Sequence, residues 1–443
     1  MQLSRDFPCS QRRSEEDTRS FIGERKHFHV CISVRVCRFA SFERLQYREH
    51  LDDTFKLKMK PLSLSLICSL IGIVLAISTA PASSRENEGS ISIANDHPFI
   101  YFHGRWDKSP GTWWAGSGFK LHISNLKSLV LNLGEHTTTP IASIGVSVNY
   151  GNFVTVNVSA GVNQIIPLSQ NITSTLDLKP ETLGENSVIR INVEGWQNNR
   201  INLDTIVLNQ GARLLPYTPS KLAFQFIGDS LSAGQYLPQG VDQAWPFLTG
   251  EHFKAEHTVT AQPGAALSDI VSYGNQHGLS YEFFRTEDDG YYYTTDHNYT
   301  TPWNFARDTK PTHVVIHIGA NDASYNITTE SFINTYLTFV SRLRSLYPSQ
   351  PIFVFTPWGW LNADGTVGQY YEGAYETIVQ SRHSVGDKNV FLVNTTGWVT
   401  WEDVYPDNTH PNVAGHQKIA GLFEKWLGDW GLDPLRLLDE LMN

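Results

Sequence analysis

The chain has 443 residues, more than one hydrophobic core organises well, so two domains are expected. With 41% hydrophobic and 18% charged residues it is globular rather than disordered. A formal charge of −10 argues against nucleic acid or an anionic membrane surface as partner.

In chain order, residues 1–58 are rich in Arg and Glu and keep no helical or strand period, so they read as a disordered segment or an extension ahead of the true start. Met59-Lys60 then opens a secretory signal peptide, residues 59–82: a basic start, an apolar run from Leu62 to Ile77, and Ala80-Pro81-Ala82 before the cut. The run falls short of the roughly 20 residues that span a bilayer. Secretion is therefore expected, with an anchor through residues 62–77 as the rival. Residues 1–82 hold 13 of the 34 basic and 9 of the 44 acidic residues, which leaves the remainder more acidic, at −14. Cys9, Cys31, Cys37 and Cys68 all precede the cut, so the secreted part has no disulfide and rests on ordinary cores. Sequons at Asn157, Asn171, Asn298, Asn326 and Asn394 fit a glycosylated secreted protein.

Residues 91–217 carry short runs of alternating apolar and polar residues (FKLHISNL, SLVLNLG, IGVSVNYG, FVTVNVSAG, SVIRINVEG, INLDTIVLN) separated by Gly, Asn or Pro. That pattern predicts an antiparallel β-sandwich, a jelly roll. LLPYTPSK, with two prolines, is the expected link. From Ala223 the period changes. AFQFIG, HVVIHIG, PIFVFTPWG and NVFLVN are continuous apolar runs, as parallel strands covered on both faces require. Between them Phe332, Tyr336, Phe339, Val340, Leu343 and Leu346 follow a three-four helical spacing, as do Ile419, Leu422, Phe423, Trp426 and Leu427. Residues 221–430 thus form an α/β/α layered domain.

Ligands of such sheets bind beyond the carboxyl ends of the strands. Asp229-Ser230 follows the first run, Ala320-Asn321-Asp322 the HVVIHIG run, and Asp407 and His410 the last. A serine hydroxyl needs a base to become a nucleophile, and His410 can serve. Asp407, three residues before it, can orient the imidazole. The backbone N–H groups of Ser230 and Gly264 and the Asn321 amide are candidate donors to a developing oxyanion. Each signal has a bland counterpart: helix cap, turn glycine, loop histidine. The ordered set at strand ends outweighs them.

FIGDSLSAG, the Gly264 turn, IGAND and DNTHP, in that order, resemble the four sequence blocks of the SGNH (GDSL) hydrolases over about residues 223–428. The β-rich start, with YFHGRWDKSPGTWWAGSGFKLHI, is similar to the N-terminal jelly roll of carbohydrate esterase family 2, two-domain deacetylases of plant polysaccharides. The resemblance implies a flavodoxin-like catalytic domain, Ser230 as nucleophile, His410 as base, and Ser230, Gly264 and Asn321 as the oxyanion hole. Some members of that family replace the triad Asp with a backbone carbonyl, so the role of Asp407 stays open.

The aromatic segment between Gly264 and HVVIHIG suggests a sugar-binding wall, with Trp303, Trp358 and Trp360 as candidate platforms; loop and interface packing is the equal alternative. Trp106, Trp113 and Trp114 suggest a domain interface or a glycan surface. His410 and His416 are six apart with no third ligand beside them, so no metal and no cofactor is expected, and His416 is placed facing solvent or capping the final helix. The expectation is a secreted serine esterase acting on an acetylated polysaccharide such as xylan or glucomannan, with no nucleic-acid partner and no membrane after cleavage. A lipid-type acylhydrolase and a non-catalytic glycan-binding protein are the alternatives.

Overall fold

In the computed structural model of the chain, the described residues are 89–112, 114–167, 183–195, 199–287 and 301–432, all within one compact unit, Ser84–Asn443. The expected signal peptide at residues 59–82, the segment before it, Trp113, and the sequons at Asn171 and Asn298 lie outside them.

The alternating runs form strands. β1 (Ile91–Ala94), β2 (Tyr101–His103), β3 (Gly111–Thr112), β4 (Gly118–Ser124), β5 (Leu129–Leu133) and β6 (Ala142–Val148) come first. β7 (Val154–Val158), β8 (Gly161–Ile166), β9 (Asn186–Val193), β10 (Ile201–Leu208) and β11 (Arg213–Leu215) follow. One sheet runs β1-β10-β5-β8, with β3 on β10; the other runs β11-β4-β9-β6-β7, with β2 on β4. Pairing is antiparallel throughout, as in β4 with β9 and β10 with β5. The strand period of two sends Leu129, Leu131 and Leu133 inward, where they meet Leu121, Ile144 and Ile191 of the other sheet in one core. The expected link at 214–221 begins inside this sheet, because Leu214 and Leu215 pair with β4.

Five parallel strands follow: β12 (Ala223–Asp229), β13 (Glu256–Gln262), β14 (His313–His317), β15 (Ile352–Phe355) and, after the small hairpin β16 (Trp360–Leu361) and β17 (Val367–Gly368), β18 (Val390–Val393). Their order is β13-β12-β14-β15-β18. The helices are α1 (Ser230–Ala233), α2 (Trp245–His252), α3 (Leu279–Glu282), α4 (Ala320–Ser324), α5 (Thr329–Leu346), α6 (Ala374–Ser384) and α7 (Val413–Trp430). Alternate strand residues enter opposite cores. Phe226, Val315 and Phe355 pack with Trp245 of α2 and Phe423 of α7. Ile227, Ile316 and Val354 pack with Phe339 of α5 and Ile378 of α6. The result is a mixed α/β fold with helices on both faces of a parallel sheet. Strand order reverses between β12 and its two neighbours, and such a switch point opens a crevice at the carboxyl ends.

Polar bonds tie the β-rich part to the α/β part. Lys120 forms a buried ion pair with Glu256, whose other oxygen accepts from Tyr217 Oη at 2.9 Å and Ser220 N at 3.1 Å. Arg190 grips both Glu251 oxygens at 2.6 and 2.7 Å. Trp114 donates to the Thr286 carbonyl at 3.0 Å, whereas Trp106 is buried in the β core. Among the described residues no helix is long and apolar enough to cross a membrane.

Candidate active site

Ser230 is the first residue past β12. Asp229 caps α1 by accepting the Leu231 N–H at 3.0 Å, and Gly234, left-handed at φ 74°, ends the helix after one turn. The serine is thereby held at the strand end, 7% exposed. Its Oγ lies 2.9 Å from His410 Nε2. The imidazole is held by its own loop: His410 N donates to Asn408 Oδ1 at 3.0 Å, and Nδ1 stands 3.0 Å from the Asn408 carbonyl oxygen. A carbonyl only accepts, so Nδ1 carries the proton and Nε2 is left free to take one from Ser230.

The orienting bond expected from Asp407 is thus made by the main chain. Asp407 is exposed and its carboxylate accepts from the Asn408 side chain at 3.2 Å. The reason is local: Thr409 adopts a left-handed φ of 56° and its N–H closes on the Tyr405 carbonyl at 2.7 Å. That turn presents the Asn408 carbonyl to the ring and directs Asp407 outward.

Register aligns the remaining groups, since Asp229 pairs with Gln262 and Gly228 with His317. Gly264 follows β13 at φ 79°, where a Cβ would come within 2.6 Å of Tyr273 Cβ, so only glycine fits. Asn321, buried in α4 past β14, donates Nδ2 to the Ala265 carbonyl at 2.9 Å. One amide hydrogen fixes the side chain against the Gly264 turn and the second is available to an oxyanion. Asp322 braces the same loop, accepting from Leu267 N at 2.7 Å and Ser268 N at 2.9 Å.

Burial holds the His410 imidazole below its ordinary value, partly offset by the Asn408 carbonyl. Burial also pushes the Asp229 carboxyl up to about 7, with the Leu231 N–H opposing and the Asp322 charge adding. His416 does not face solvent. It is buried, takes the Trp245 N–H on Nδ1 at 3.1 Å, and burial lowers it to about 3. Among the described residues no cluster of three His, Cys, Asp or Glu could hold a metal ion.

Residues 226–418 match the GDSL-like Lipase/Acylhydrolase family. Solved structures share the wider fold. A family two carbohydrate esterase from Cellvibrio japonicus is 17% identical with a TM-score of 0.59, over 79% of this chain and 99% of that one. An acetyl xylan esterase from the rumen bacterium Butyrivibrio proteoclasticus is 16% identical, TM-score 0.56, over 77% and 98%. A family two carbohydrate esterase from Clostridium thermocellum, in complex with cellohexaose, is 20% identical, TM-score 0.56, over 74% and 98%. No match was found among curated proteins.

In the α/β part the three expected platforms separate. Trp303 is buried, donates to Asp308 Oδ2 at 2.8 Å, and lies against Arg105 and Arg307 with ring centroid distances of 4.7 and 4.9 Å. It packs its loop onto the β-rich part instead of lining a cleft. Trp358 is buried as well, stacked on His317 at 4.1 Å. Only Trp360 of the three keeps an open face, at 37% exposure on β16. Sequence reading missed Tyr236, whose ring stands 5.0 Å from that of His410. QYLPQG has no period and no motif to mark it. Asn157, Asn326 and Asn394 are exposed.

Proposed function

We propose that the protein is a secreted carbohydrate acetyl esterase, removing O-acetyl groups from a plant-type polysaccharide such as xylan or glucomannan, with residues 91–217 forming a jelly roll beside the catalytic domain. The observation that carries the reading is the 2.9 Å contact between Ser230 Oγ and His410 Nε2, with Nδ1 anchored on a carbonyl. The family match supports ester hydrolysis, and the shared fold of the carbohydrate esterases supports a sugar ester as substrate.

In this reading Ser230 Oγ attacks the acetyl carbonyl carbon while His410 Nε2 takes its proton. Negative charge moves onto the carbonyl oxygen, where the Ser230 and Gly264 N–H groups and the Asn321 amide stabilise it. The intermediate collapses as His410 returns the proton to the sugar oxygen, which leaves as an alcohol. Water then attacks the acetyl-serine, again losing its proton to His410, and acetate departs. Serine and imidazole are regenerated.

The test is acetate release from acetylated xylan and acetylated glucomannan by the secreted protein and by Ser230→Ala. Release from at least one polymer, lost in the variant, is expected. Cleavage of simple acetyl esters with no release from either polymer would remove the polysaccharide from the reading.

A further inference from the structure

Tyr236 is held beside the catalytic pair at a cost in backbone conformation. Its φ of 71° lies in the left-handed region that bulky side chains rarely adopt, and Asn or Gly would sit there more comfortably. The chain is pinned on both sides. Gly234 has no room for a side chain, since a Cβ would meet the Gly240 carbonyl oxygen at 2.5 Å, and Leu237 is buried in the core. The Leu237 N–H closes the turn on the Gly234 carbonyl at 3.1 Å.

What the strained residue presents is a ring. It stands nearly perpendicular to the His410 imidazole, at 81° and 5.0 Å between centroids, and is 52% exposed. Its hydroxyl bonds to no other described residue, so neither core packing nor a polar anchor accounts for tyrosine here. Among the described residues no other ring contacts that of His410.

The chemistry of the proposed reaction says what would meet it. His410 must hand a proton to the sugar oxygen, so that oxygen lies within hydrogen-bond reach of Nε2. The pyranose attached to it then falls within one ring's reach of Tyr236. A pyranose offers a flat face of C–H bonds that packs on an aromatic face and leaves its hydroxyls in water.

We propose that Tyr236 is a specificity-determining residue that receives the pyranose ring bearing the scissile ester. This rests on the carbohydrate acetyl esterase reading. The acetyl group is common to all acetyl esters, so the contribution of Tyr236 belongs to substrates that carry a sugar.

The experiment compares the protein, Tyr236→Phe and Tyr236→Asn on an acetylated xylo-oligosaccharide and on ethyl acetate. Asn tolerates the left-handed backbone, so the variant is expected to fold with an unchanged or raised Tm. The expected result is that Asn lowers kcat/KM for the oligosaccharide about tenfold more than for ethyl acetate, mainly through KM, while Phe retains the preference. Equal losses on both substrates, or no loss on the oligosaccharide, would overturn the proposal and leave the esterase reading intact. An unsubstituted protein that cleaves ethyl acetate but no acetylated oligosaccharide would defeat the carbohydrate reading, and this proposal with it.

Discussion

His410 takes its orientation from Asn408: the imidazole Nδ1 lies 3.0 Å from that residue's carbonyl oxygen. The acceptor is neutral and part of the same turn, so it fixes the tautomer without bringing a buried charge to the site. In the proposed reaction Asp407 is then dispensable. Asp407→Ala should keep kcat within about threefold of the parent, where loss of a true triad carboxylate costs about 10⁴. Initial rates on an acetyl ester decide this, and a loss of three decades would return Asp407 to the catalytic set.

As the proposed base, His410 must be neutral to work. Burial depresses His410, and the bond to Asn408 offsets that only in part, so the protonated form appears at lower pH than for a free histidine. Activity should therefore rise with pH and reach its plateau through a midpoint below about 6.5. A kcat/KM profile checks the direction. A midpoint well above 7, or a flat profile from pH 4 to 8, would count against His410 as base.

In the proposed reaction Asn321 acts late, on the developing oxyanion. Its side chain is already fixed by Ala265, so removing it should spare binding and raise the barrier. Asn321→Ala is expected to lower kcat by about 10²–10³ with KM changed far less. A rise in KM at constant kcat would make Asn321 a ground-state contact instead.

The ion pair between Lys120 and Glu256 is a structural matter. Glu256→Gln leaves a buried ammonium without its counter-charge and weakens the bonds from Tyr217 and Ser220. A loss of about 3–5 kcal/mol in unfolding free energy is expected, read by urea denaturation. An unchanged midpoint would mean that the two parts are held together by other contacts.

Much of this was legible in the sequence, for identifiable reasons. The strand at Leu129–Leu133 announces itself by period two, and α5 by Phe332, Tyr336, Phe339, Val340 and Leu343 at helical spacing. Ser230, Asn321 and His410 stand where apolar runs end, and parallel sheets place such ends on one rim. Side-chain direction was not legible. The left-handed Thr409 turns Asp407 away, and a spacing of three residues carries no trace of that. Trp303 and Trp358 misled because an aromatic ring packs as readily as it binds. Tyr236 went unseen because its meaning depends on His410, far along the chain.

The central claim is that Ser230 and His410 hydrolyse a short acyl ester. The most direct measurement compares an acetyl with an octanoyl ester of the same leaving group, using Ser230→Ala as the blank. Marked preference for acetyl, abolished in the variant, is the predicted result. Octanoyl turnover equal to or above acetyl, or activity that survives Ser230→Ala, would contradict it.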